Sequence, residues 1–143
     1  FDPIAIPALL PNILLYEKVA EDQFRVRLQG TEFSNRGIPD ATGNILAPSE
    51  AKSGKSPFFE IMARVLNTPC GLKILGVERN SEGRNVVIEA VGFPLNDANG
   101  EATFLVAIVM PLATESYAEG NLSAHSLVEL REASEITLRH LSD

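Results

Sequence analysis

The chain has 143 residues, a length that suits one domain able to bury a core without disulfides or metal. Its 45% hydrophobic and 22% charged content excludes wholesale disorder. A net charge of −7 lacks the cationic footprint that nucleic acid or anionic lipid demands, so neither is an expected partner.

Taken in chain order, the opening Asp2–Pro11 is apolar but broken by Pro3, Pro7 and Pro11, which predicts short turns packed across a hydrophobic surface. Asn12–Lys18 reads as a first strand. In Phe24–Gly30, Phe24, Val26 and Leu28 alternate with Arg25, Arg27 and Gln29, the period of a half-exposed strand. Val19–Gln23 joins the two as a hairpin. Thr31–Ser56 carries scattered glycines and prolines and predicts short helices and loops. Ser56-Pro57 then opens a helix, with Phe58, Ile61, Met62, Val65 and Leu66 as its apolar stripe.

Three strands follow, Leu72–Glu78, Arg84–Leu95 and Ala102–Leu112, separated by Asn80–Gly83 and Asn96–Gly100. A last helix is expected over Ser126–Leu141, with Leu127, Leu130, Ser134, Leu138 and Leu141 near one face. The predicted architecture is α+β: a five-stranded antiparallel sheet with helices on one face, plus a Pro-rich N-terminal arm and a C-terminal helix. Residues 1–113 form the main unit. Residues 114–143 form an extension with six acidic and two basic residues.

Cys70, the only cysteine, reads as a small buried apolar residue, which excludes an intrachain disulfide and a cysteine-based zinc site. The longest apolar run, Ala102–Ala113, is too short to span a bilayer. No basic segment with a following apolar stretch opens the sequence, so a cytoplasmic location is expected.

This order of elements resembles the PAS domain, and several residues extend the likeness. Asp2-Pro3, Leu10-Pro11, Phe24–Glu32 (FRVRLQGTE), Asp40-Ala41-Thr42-Gly43 and Glu89 followed by Pro94-Leu95 are similar to a small group of proteobacterial, often single-domain PAS proteins. The resemblance covers about Asp2–Ala113. It implies a sensory or protein-interaction module, often dimeric, with a ligand cavity between sheet and helices. Flavin-binding light sensors of the family carry a reactive cysteine in a polar Asn-Cys-Arg-type helix motif, whereas Cys70 follows Thr68-Pro69 at a helix end. Haem-binding members use a histidine on the helix before the third strand; Phe58–Leu66 has none, and His125 and His140 lie in the tail. The resemblance therefore implies no flavin, haem or metal and leaves an unidentified small ligand.

Glu89 is the leading polar candidate. It shares a strand face with Val87, Val91 and Phe93, and the simplest hairpin registers set it opposite Ile74 and Ala107, with Gly76 diagonally near. A carboxylate among such residues is a polar anchor for a small ligand, or is satisfied by an arginine, a backbone donor or solvent. Phe58 and Met62 would complete that pocket from the helix. Both faces of the last three strands are apolar, which predicts cover by the terminal segments or by a second copy in a homodimer. Arg25, Arg27, Leu127 and Leu130 are the candidates for partner contacts, although a solvated strand face accounts for both arginines. No catalytic set emerges. The alternative is a small curved α+β enzyme, of the ketosteroid-isomerase-like cone type, with Glu89 as general base.

Overall fold

The apolar–polar alternation of the first hairpin decides how it pairs. In the computed structural model, which describes residues 8–48, 56–117 and 126–137, strands β1 (Ile13–Ala20) and β2 (Gln23–Gln29) set Tyr16 opposite Val26 and Lys18 opposite Phe24. The turn between them is tight because Asp22 accepts a left-handed conformation, φ 56°. A short helix α1 (Thr31–Asn35), a two-residue strand β3 (Ile45–Leu46) and helix α2 (Phe58–Asn67) follow. Strands β4 (Gly71–Arg79), β5 (Arg84–Asn96), β6 (Ala102–Tyr117) and β7 (Leu127–Ile136) complete the sheet.

The fold class is α+β, as the sequence implies, and the sheet is antiparallel with seven strands in the order β3-β2-β1-β6-β5-β4-β7. Two further strands thus flank the expected five, one on each edge. Residue 113, where the extension was set off, lies inside β6. Of the Pro-rich arm, residues 1–7 lie outside the described residues. Its end, Leu10–Asn12, makes one 3-10 turn seated against Gly30, where an added Cβ would meet the carbonyl oxygens of Leu10 and Pro11 at 2.3 Å.

The two expected turns are held by side chains. Asn80 Oδ1 accepts from the amides of Glu82 and Arg84, and Asp97 Oδ1 accepts from those of Asn99 and Glu101. At the head of α2, Ser56 Oγ accepts from the Phe58 amide at 3.2 Å, the capping contact read from Ser56-Pro57. Met62 and Val65 of α2 are fully buried against the sheet.

The C-terminal helix expected over 126–141 is instead strand β7, at least through Ile136; residues 138–141 and both histidines lie outside the described residues. The cause of the misreading is geometric. β7 pairs with β4 through two register shifts, so the residues opposite Glu78, Gly76 and Ile74 are Leu127, Leu130 and Ala133. Each bulge inserts one residue and stretches the inward spacing from two to three, which imitates the helical period. Gly76 permits this arrangement, because a Cβ there would lie 2.8 Å from the Glu129 carbonyl oxygen and 3.0 Å from Leu127 Cδ1.

The expected registers around Glu89 also differ from those found. Glu89 pairs with Leu75 and Met110, not with Ile74 and Ala107, which pair instead with Ala90 and Gly92. A one-residue slip in a strand exchanges its two faces. Leu72, Ile74 and Glu78 therefore face the helices, together with Ile88, Ala90, Leu105, Ala107 and Val109.

Candidate functional site

Helix α2 lies over strands with small side chains. Ala90 and Gly92 on β5 and Ala107 on β6 leave room beneath Phe58, Met62 and Val65, and a cavity of about 100 Å³ results. Its walls are apolar almost throughout. The aromatic end is fixed by edge-on contacts, Tyr16 to Phe58 at 4.9 Å and Phe24 to Phe58 at 5.7 Å between ring centroids. Ser126 and Leu127, at the start of β7, close one side. That closure is secured by Ser56, whose hydroxyl donates to the Leu127 carbonyl oxygen at 2.6 Å.

Besides Ser126, three polar side chains interrupt this lining. Gln29 is occupied by the loop beside it, since its Nε2 donates to Pro39 O at 3.0 Å and its Oε1 accepts from the Ala41 amide at 3.3 Å. Tyr16 is buried, and the loss of solvent pushes its phenol far above the ordinary range, with the Glu78 carboxylate adding to the effect. Tyr16 is therefore neutral at physiological pH. Glu78, 5% exposed, accepts from Arg36 Nε at 2.9 Å and from Nη2 at 3.3 Å. Arg36 in turn stacks over Phe33, 4.6 Å from the ring centre. Asn80 Nδ2 donates to the Arg36 carbonyl oxygen at 3.0 Å, which ties the β4–β5 turn to the end of α1.

The sequence candidates divide between the two faces. Ile74, Ala107, Phe58 and Met62 line the cavity. Gly76 shares their face, but the space above it is filled by β7. Glu89 projects from the opposite face, half-exposed, with Lys73 Nζ at 3.8 Å. Leu127 lines the cavity and Leu130 packs against the core. Arg27 is exposed and donates to Glu17 Oε1 at 3.0 Å, while Arg25 is half-buried on β2 beside Ile45.

Sequence reasoning missed Glu78 and Arg36. The signal for Glu78 was present, since it continues the alternation Leu72, Ile74, Gly76 on the inward face. Arg36 had none, because its partner lies 42 residues away on β4.

Among the described residues no three His, Cys, Asp or Glu side chains gather as metal ligands, and no helix is long and apolar enough to cross a membrane. What the arrangement offers is a partly open apolar chamber with a hydroxyl and a carboxylate among its lining groups. A small, mostly apolar molecule with one polar end is its chemical complement.

Comparison with solved structures identifies the architecture. The chain is similar to a light-oxygen-voltage (LOV) domain studied with a flavin analogue, at TM-score 0.56 and 12% identity over 77% of this chain and 83% of that one. It is similar to the light-state LOV domain of the blue-light photoreceptor Aureochrome1, at TM-score 0.54 and 10% identity over 78% and 88% of the two chains. A fungal LOV photoreceptor matches at TM-score 0.51 and 17% identity over 70% and 73%. LOV domains are members of the PAS family. The fold is a PAS fold. No family model matches the chain, and no curated protein matches it in sequence.

The cavity of about 100 Å³ falls well below the ~300 Å³ at which pockets for drug-sized molecules begin. Cys70, the only cysteine, is absent from its walls, and its thiol faces the Arg64 carbonyl oxygen at 3.7 Å.

Proposed function

We propose that this chain is a non-catalytic PAS-type sensory or protein-interaction domain that takes a small, largely apolar molecule between α2 and the sheet. The observation that carries this reading is the chamber itself, where Ala90, Gly92 and Ala107 stand opposite Phe58 and Met62. Its size is comparable to the engineered cavity of ~150 Å³ that takes up benzene. The resemblance of Phe24–Glu32 and Asp40–Gly43 to the proteobacterial group supports the same class and suggests a bacterial, cytoplasmic protein.

A ligand signals only through different affinity for two states. Here it would touch Ser126 and Leu127, so occupancy biases how β7 docks against β4 and Ser56. The relay then runs to a second copy. The outer sheet face supports that partner, with Val87, Val91, Phe93, Val106 and Ile108 half-buried and Met110 47% exposed. Arg25 and Arg27 remain candidates for contacts with a signalling partner.

The enzyme alternative loses its geometric basis, because Glu89 lies outside the chamber beside Lys73 and solvent. Native mass spectrometry of the freshly purified chain, beside a denatured sample, tests the proposal. A dimer carrying an extra mass that leaves on denaturation is expected. A bare monomer that takes up no added small molecule would overturn both the ligand and the dimer.

A further inference from the structure

The alternation that turns Leu72 and Ile74 toward the helices carries on to Glu78, which pairs with Val86 on β5 and with Leu127 on β7. Glu78 is thereby drawn into the wall of the chamber. Among the described residues that line it, Glu78 is the one charged side chain, and no arginine, lysine or histidine joins it. A carboxylate in such a place is costly unless paired, and Arg36 supplies the pair from outside the lining. Nε donates to Oε1 and Nη2 to Oε2, one bond to each oxygen. A carboxylate only accepts and has about four lone-pair sites, so this pairing leaves capacity for a further donor. The Tyr16 phenol lines the same space, and the Glu78 charge adds to the burial that holds its proton.

We propose that the chamber selects a small neutral hydrogen-bond donor, an alcohol or a phenol, whose hydroxyl donates to Glu78 while its hydrocarbon part lies against the apolar walls. This rests on the reading of the space under α2 as a binding chamber and adds the polarity of what that chamber takes. Charge balance decides the class. An anion would meet a carboxylate, with no cation among the lining residues to receive it. An ammonium would bury a charge beside a carboxylate that Arg36 already matches. A plain hydrocarbon would leave the remaining acceptor sites of Glu78 without a partner, the loss by which a polar site rejects an analogue lacking the hydroxyl. Gln29 does not compete for the role, since Pro39 and Ala41 engage both ends of its amide.

The test is an NMR titration of the full chain with phenol, toluene, benzoate and benzylammonium. The methyl signals of Met62 and Ala107 report occupancy, and the Glu78 carboxyl carbon reports the polar contact. Toluene is the near-isostere of phenol, with a methyl group in place of the hydroxyl. In a chamber without an acceptor the hydroxyl would weaken binding by about tenfold or more. Here phenol is expected to bind at least as tightly as toluene and to move the Glu78 signal, which toluene leaves in place. Benzoate and benzylammonium are expected to bind more weakly than phenol by about tenfold or more. Arg36→Met with Glu78→Leu, which strands no charge, should reverse the preference and take toluene over phenol. The proposal fails if phenol binds more weakly than toluene, if it leaves the Glu78 carbon unmoved, or if either ion matches it. It fails equally if the double variant keeps the preference of the parent chain. Saturable toluene shifts with weaker phenol binding would remove the donor selection and leave the chamber standing, whereas no saturable shift from any probe would remove both.

Discussion

Arg36 grips Glu78 at two points, 2.9 Å and 3.3 Å, where the two side chains are only 11% and 6% exposed. The pair joins the end of α1 to the end of β4, where Glu78 borders the apolar chamber. A buried ion pair adds little net stability, yet removing one partner leaves a charge stranded. Arg36→Met should therefore cost about 3–5 kcal/mol in urea unfolding, while Arg36→Met with Glu78→Leu should recover most of that loss. A double variant no more stable than the single would show that the pair's geometry, not its charge balance, matters.

Tyr16 makes the alkaline limb of stability a readout of the chamber. Burial raises its folded pKa above the ordinary 10.0, so the folded state keeps a proton that the unfolded state gives up. Its contribution is complete below pH 10.0 and is lost as the pH climbs beyond that value. Tyr16→Phe should flatten the fall of stability with pH in that window, measured by denaturant unfolding at stepped pH. An unchanged slope would mean that the phenol ionises as readily in the folded chain as in the unfolded one.

Gly76 is the residue that lets β7 dock. With the Glu129 carbonyl oxygen 2.8 Å from where a Cβ would stand, Gly76→Val should cost about 1–3 kcal/mol by overpacking. Hydrogen exchange should quicken first in Leu127–Ile136 and only later in β5 and β6. Uniform quickening across the sheet would deny β7 any separate docking equilibrium.

The limits of sequence reading follow from these same elements. Strands β1, β2 and β4 to β6, helix α2 and both held turns were legible because alternation, a helical stripe and Asn/Asp turn chemistry act locally. β7 was not, since two bulges turned its inward spacing from two residues to three. The site suffered from one slipped residue. The rule that selected Glu89 as a carboxylate on an apolar strand face applies equally to Glu78. Register, set by pairings across the sheet, decided which of them faces the helices. Arg36 carried no local pattern at all.

Glu89 gives the sharpest separation of the sensor from the enzyme alternative. It stands on the outer face with Lys73 at 3.8 Å, both side chains well exposed. Such a pair contributes about 0–1 kcal/mol. Glu89→Gln should thus leave stability and small-molecule uptake unchanged within error, as followed by unfolding and by native mass spectrometry. Loss of uptake in this variant would return Glu89 to the site.

The central claim is that the space under α2 is a binding chamber, and Ala107 controls its volume. A two-dimensional NMR titration with benzene, on the parent chain and on Ala107→Leu, tests that claim most directly. The parent should show saturable shifts concentrated at Met62, Ile74, Ala107 and Leu127. Ala107→Leu, with its chamber filled, should fold as well as the parent and show none of them. Benzene shifts that fail to saturate in the parent, or that persist undiminished in Ala107→Leu, would contradict the account.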